Sequence, residues 1–284
     1  MRGRRRLFGH ARWLASGYVD HDVHVWDLDK GALRFRLVGH WGDLTAGAFS
    51  PSGDLLATAG AEGSLRVWSL VTGRQTHELS TDDRVVRAAR FDSEETLRLV
   101  TDDGAYVVWR LDEPPIGSTQ DADVRCATLD EAGGWMCRDG RLHRVHDPRD
   151  DDGPHALHVG PALDAPAADR LVGDLQGLVY GTSVTMGVAE SGRGKVWEHQ
   201  RATLAFCLHE DVVWAANAWD VRVYARADGR ELHKDTTRGR IDDLVSVDGA
   251  VWARIDGGAE LRPISAPDGP RFQARPSTRA THDG

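Results

Sequence analysis

Thirteen histidines, three cysteines and 44 acidic side chains are the groups in this 284-residue chain that could do chemistry. His21 with His24, and His143 with His146, suggest metal pairs at first sight. A separation of three on an extended strand turns the two rings to opposite faces, so neither pair can close on one ion. Cys126, Cys137 and Cys207 are odd in number and lack metal-type spacing. Cys126 and Cys137 flank a turn over residues 130–134 and can face each other across two strands, as buried thiols or as a disulfide. No glycine-rich phosphate loop, nucleophile elbow or HExxH helix occurs. The many loop aspartates are ordinary turn formers. The expectation is therefore no catalytic residue, no metal ligand and no cofactor.

The better-ordered polar residues sit beside tryptophans. A buried indole needs an acceptor for its one N–H donor. Leu14-Ala-Ser-Gly runs on to Val25-Trp26-Asp27, and Leu56-Ala-Thr-Ala-Gly runs on to Val67-Trp68-Ser69. Ser16 and Thr58 thus stand ten residues before their tryptophans and can supply that acceptor. A third unit carries Asp102-Asp103-Gly104 and then Trp109. The tryptophans are 42 and then 41 residues apart, and Phe8, Phe49 and Phe91 keep nearly the same step.

Such a period means repeated small sheets. In the second unit, alternating runs at 44–49, 55–59, 65–70 and 75–79 are separated by Ser-Pro-Ser-Gly, Gly-Ala-Glu-Gly and Val-Thr-Gly turns. Those are four antiparallel strands joined by hairpins. One such sheet cannot bury both faces alone, so its neighbours must stack on it. Beyond residue 111 the tryptophan signature fades, yet third strands recur near 142–147, 184–189, 221–225 and 261–265. The spacing predicts an all-β, single seven-bladed β-propeller of four-stranded antiparallel blades over residues 1–276. The four aspartates within 147–153 then belong to a long loop, and 277–284 to a disordered polar tail.

Gly39-His40, Ala48-Phe49-Ser50-Pro51-Ser52-Gly53 and Leu65-Arg66-Val67-Trp68 together resemble one complete repeat of the WD-repeat (WD40) propellers. The resemblance is specific over residues 4–111 and only periodic afterwards. It implies a structural tetrad of His40, Thr58, Glu62 and Trp68, with Glu62 where the family has aspartate. In the first unit it implies Ser16, Asp20 and Trp26, without a usable histidine. The residues preceding Trp26 are too few for a complete outer strand, Gly-His and inner strand. The segment 4–8 is therefore read as an inner strand, with Phe8 equivalent to Phe49. The last blade then shares no strand with the first, and closure rests on side-chain packing or on a partner.

A net charge of −9 argues against nucleic acid as the main partner. No run approaches a membrane span, and the basic start lacks the apolar core of a signal peptide. Reduced cysteines suit a cytoplasmic location. Arginine in place of lysine, with abundant Ala, Asp and Gly, suggests a bacterial source. The loops entering first and third strands share one face of a propeller. They gather Trp41, Asp43, Asp82, Asp83, Arg84, Asp123, Trp219 and Arg240, with further carboxylates at Asp20, Asp22, Asp102, Asp103 and Asp121. Exposed tryptophan with mixed charge fits a protein-binding surface. The resemblance implies a non-catalytic interaction scaffold or adaptor within a multiprotein assembly, its partner a basic or mixed-charge protein segment. The alternatives are a divergent propeller enzyme of the metal-dependent hydrolase type, and a structural subunit closed by its partner.

Overall fold

Twenty-eight short strands form seven separate four-stranded antiparallel sheets, and the described residues contain no helix. The computed structural model describes residues 6–264 except 18–19, 119–121, 147–157, 164, 166, 175, 191–192, 237–238 and 256–259, together with 272–273. The blades span 7–37, 44–80, 86–118, 124–162, 170–199, 205–236 and 241–273. The 1–276 limit, the tail at 277–284 and the aspartate-rich loop at 147–153 lie outside the described residues.

Blade two shows how sequence makes a blade. Its strands are Leu44–Phe49, Leu55–Gly60, Ser64–Ser69 and Arg74–Ser80. The second strand is buried along most of its length, hence the small apolar run Leu-Leu-Ala-Thr-Ala-Gly. The fourth is mostly exposed, with only His77 and Leu79 half-buried, hence Arg-Gln-Thr-His-Glu. Gly63 ends the turn between strands two and three at φ 78°, where a Cβ would also lie 3.1 Å from the Asp83 backbone. Only glycine fits both demands.

The core is not one mass. Seven buried clusters occupy the seven seams between neighbouring blades. Trp68 packs with Val23, Val25 and Leu37 of blade one, whereas Trp26 packs with Val247, Trp252 and Leu261 of blade seven. Among the described residues the ring is thus closed between last and first blades without a shared strand. Leu7–His10 is the inner strand of blade one, and Ile241–Val247 that of blade seven. Side chains hold the joint: the Leu7 N–H donates to Asp243 Oδ2 at 2.9 Å, and Arg254 donates to the Gly17 carbonyl at 3.2 Å.

The equivalence of Phe8 with Phe49 needs correcting. Trp68 pairs with Leu56, which pairs with Phe49, but Trp26 pairs with Leu14, which pairs with Gly9. Phe8 stands one place earlier, where it crosses to the next blade and lies over Gly47 (a Cβ there would meet its ring at 2.8 Å). A one-residue shift in a strand moves a side chain to the other face.

Candidate functional site

A relay of four side chains runs from the seam of blades one and two to the loop face. The Trp68 indole N–H donates to Thr58 Oγ1 at 2.8 Å, and Thr58 Oγ1 meets His40 Nε2 at 2.8 Å. His40 Nδ1 meets the Glu62 carboxylate, which also accepts from Ser64 Oγ at 2.7 Å and from the Gly42 N–H at 3.0 Å. Burial holds His40 below its ordinary value of 6.5, against the raising effect of Glu62. Glu62 is itself held below 4.5, because hydrogen bonds from His40 and Ser64 outweigh its burial. Neutral histidine beside ionised glutamate fixes every donor: Trp68 to Thr58, Thr58 hydroxyl to His40 Nε2, His40 Nδ1–H to Glu62. Glutamate in place of aspartate has a steric requirement. Its carboxylate lies where a Cβ on Gly60 would be, and 2.6 Å from where one on Gly42 would be.

His40 and Gly42 are the two neighbours of Trp41. The relay therefore pins the backbone on both sides of an indole that is 73% exposed. Trp219, 75% exposed, is displayed by a different device: Asn217 Oδ1 accepts the N–H groups of Trp219 and Asp220, both at 2.8 Å. The two tryptophans share one face, because the loops entering first and third strands are stitched together. Examples are Ala61 N–H to Asp43 O, Thr81 N–H to Gly63 O and Asp139 N–H to Asp123 O, all at 2.9 Å. Val38 and Val184, also largely exposed, lie in the same set of loops.

The carboxylates of this face divide into two groups. Asp82, Asp83 and Asp123 are exposed, and Asp43 is half-buried beside His21 at 3.7 Å. Asp103 is tied to Arg84 at 3.0 Å, and Asp102 accepts from the Val85 N–H at 2.9 Å. Arg240 is exposed, with Asp242 at 3.4 Å. Asp22 is buried under Arg36, so it does not belong to the open face. Asp121 lies outside the described residues.

Blade one does not bring Ser16, Asp20 and Trp26 into one chain. The Ser16 hydroxyl donates to the Gly17 carbonyl at 3.2 Å, and Asp20 accepts from Arg36 at 2.8 Å. His24 stands edge-on to Trp26, and burial lowers its basicity. Asp20, Asp22 and His24 bring one ligand atom each within 4.8 Å of one another, a grouping at spacings of two that the histidine pairs did not suggest. Arg36 already occupies both carboxylates. In blade three, Leu99 stands at the Thr58 position, and Trp109 donates instead to the Glu113 carbonyl at 3.1 Å.

Later blades use buried arginine in place of the relay. Arg144 forks onto Asp130 at 2.6 and 3.1 Å, donates to the Gly134 carbonyl and lies over the Trp135 ring. Arg226 of blade six forks onto Asp174 of blade five at 2.6 and 2.7 Å. Sequence reasoning missed these pairs and Asn217. Arg144 lies within a third strand and Arg226 in the turn just after one, and neither position names its partner in advance.

The relay makes acid sensitivity an expected result. Unfolded His40 titrates near 6.5, whereas the folded side chain resists protonation. The unfolded state therefore binds the extra proton, and stability is complete above pH 6.5 and falls as pH drops below it. His24 acts in the same direction, and Glu62 adds a loss below pH 4.5. Each such proton contributes up to about 1.4 kcal/mol per pH unit. Urea midpoints between pH 7 and 5 should fall in the wild type and fall less steeply in His40→Gln. Equal slopes would show that His40 is not the titrating group.

The described residues define a seven-bladed β-propeller with one complete Trp-Thr-His-Glu relay. The family model "WD domain, G-beta repeat" matches residues 31–69, the segment that contains His40, Thr58, Glu62 and Trp68. By fold the chain is a seven-bladed β-propeller, and residues 31–69 carry a WD repeat. It is similar to a periodic tryptophan protein 2 homolog of Neurospora crassa, 33% identical over 102 residues, which are 35% of this chain and 11% of that protein. It is also similar to small ribosomal subunit protein RACK1y of Oryza sativa subsp. japonica, 39% identical over 66 residues, 23% of this chain and 20% of that one. The matches thus span a fifth or less of these relatives' own length. Among solved structures, the β-propeller domain of Cps50 (Swd1) from Myceliophteria thermophila superposes with a TM-score of 0.72. It is 14% identical, with 91% of this chain and 95% of that one covered, and shows the shared fold.

Proposed function

We propose that this protein is a non-catalytic docking scaffold whose loop face receives a basic or mixed-charge segment of another protein. The observation that carries the reading is the pair of displayed indoles. Trp41 and Trp219 are three-quarters exposed on one face, each held by backbone hydrogen bonds that restrict its loop. Pre-organised aromatic anchors lower the ordering cost of binding. Asp82, Asp83 and Asp123 supply open negative charge around them, while Arg84 and Arg240 make the rim two-signed. Participation in a larger assembly is supported by analogy with RACK1y, whose name places it in the small ribosomal subunit. A cytoplasmic location, with reduced thiols, and a bacterial source belong to the same reading.

Capture from an extract of the source cells, with mass spectrometry, names the partner. Kinetics then test the face. Reversing Asp82, Asp83 and Asp123 to Lys should slow association about tenfold at low salt and flatten its salt dependence. Trp41→Ala and Trp219→Ala should mainly speed dissociation. A partner that binds the triple-Lys variant at an unaltered rate and salt dependence would place docking elsewhere on the ring. Stoichiometric bound metal with hydrolytic turnover would replace the scaffold reading by the enzyme.

A further inference from the structure

The seam between blades four and five holds two thiols that docking does not use. Cys126, in the inner strand Val124–Asp130, stands directly opposite Cys137 in Gly133–Arg138. Both are buried and unlinked. Their sulfurs meet the same residue of the chain entering blade five. The Cys126 thiol donates to the Ala168 carbonyl at 3.3 Å, and the Ala168 N–H donates to Cys137 Sγ at 3.4 Å. Directly opposed residues of antiparallel strands have Cα atoms about 4.5–5.5 Å apart, within the range that a disulfide spans.

We propose that Cys126 and Cys137 form an oxidisable dithiol site, closed to a disulfide by hydrogen peroxide, that loosens the seam between blades four and five. The roles are unequal. The adjacent Cys126 thiol and the hydrogen bond from the Ala168 N–H favour the charged form of Cys137 and lower it to about 7 despite burial. Cys126 is raised by that same partnership and by burial. Cys137 is therefore the thiolate that attacks. Its sulfur bonds to one peroxide oxygen, the O–O bond breaks, and hydroxide leaves, giving a sulfenic acid. Cys126 loses its proton and attacks that sulfur; the S–S bond forms, the S–O bond breaks, and hydroxide takes up a proton as water. The two cysteines lose two electrons in all, and one peroxide becomes two waters. The central channel, a cavity of about 300 Å³, is lined by Cys207 and by Ala127, the neighbour of Cys126, so peroxide reaches the vicinity of both and thiolate character rather than access selects Cys137. A disulfide has no S–H to give Ala168 and no thiolate to accept from it. Oxidation therefore removes one anchor of the entering segment and weakens the other.

The test uses the intact folded protein at neutral pH with hydrogen peroxide, then denaturing alkylation, trypsin and mass spectrometry. Cleavage after Arg125 and Arg138 releases one peptide with both cysteines and no third. That peptide should lose two hydrogen atoms, resist alkylation and recover with dithiothreitol. Burial raises Cys207, so it should react at least about tenfold more slowly. In Cys126→Ser, Cys137 should stop at a dimedone-reactive sulfenic acid. Amide exchange around Ala168 should quicken in oxidised wild type, and reduction should reverse it. The proposal is overturned if both cysteines remain alkylatable under peroxide that oxidises Cys207, or if they over-oxidise separately. A disulfide that leaves exchange at Ala168 unchanged would overturn the seam's part in it. The wild-type measurements decide the matter even if the serine variant fails to fold.

Discussion

Replacing Trp68 with alanine should destabilise the protein by about 3–5 kcal/mol, whereas Trp41→Ala should cost under about 1 kcal/mol. The two indoles lie at opposite ends of one relay. Trp68 is 3% exposed, packed against Val23, Val25 and Leu37 of the neighbouring blade, with its N–H spent on Thr58. Truncation opens a cavity in a seam that cannot collapse without moving a whole blade, and it removes the first donor of the relay. Trp41 is 73% exposed, and the relay holds its backbone neighbours rather than its ring. Chemical unfolding of both variants beside wild type measures the difference as a shift in midpoint. Equal shifts would mean that the seam between blades one and two contributes no more than a surface loop. Partner affinity should respond in the reverse order, with Trp41→Ala the more damaging at temperatures where both variants are folded.

The contrast between these tryptophans was legible in the sequence, because position relative to a strand decides exposure. Trp68 ends a Leu-Arg-Val-Trp strand, while Trp41 follows Gly-His in a loop between blades. The relay of blade two was legible for a related reason: four polar or indole groups at fixed strand offsets must meet if the hairpins form. Legibility ended where partners come from unpredictable distances. Nothing around Arg144 announces Asp130 as its fork partner, and nothing around Arg226 announces Asp174 in the preceding blade. The first blade shows a subtler limit. Phe8, Phe49 and Phe91 keep a near-constant step, but side-chain direction has a period of two, and a register error of one residue reverses it. Gly9, not Phe8, holds the position of Phe49. Asp22 does lie in the loop entering a third strand, but it is buried there beneath Arg36 rather than open on the face.

The joint between last and first blades should fail first when Asp243 is removed. This carboxylate is 5% exposed and serves three blades at once. It belongs to the inner strand of blade seven, accepts the Leu7 N–H of blade one at 2.9 Å, and takes the Arg170 guanidinium of blade five at 2.6 Å. Among the described residues no strand is exchanged across this seam, so packing around Leu7, Trp26, Val247 and Trp252 shares the closure with these polar contacts. Asp243→Ala leaves Arg170 without its carboxylate and the Leu7 N–H without its acceptor. Breaking one side of a buried pair costs about 3–5 kcal/mol, chiefly because the remaining charge is stranded. Asp243→Asn keeps an acceptor for Leu7 and should lose less. Pairing Asp243→Ala with Arg170→Met removes the stranded charge and should recover part of the loss. Unfolding midpoints order the three variants. Native-state amide exchange locates the weakness, with Leu7–His10 and Ile241–Val247 opening before the strands of blades three and four. Uniform acceleration around the ring would show instead that the seven seams open together, and that Asp243 stabilises the whole propeller rather than its joint.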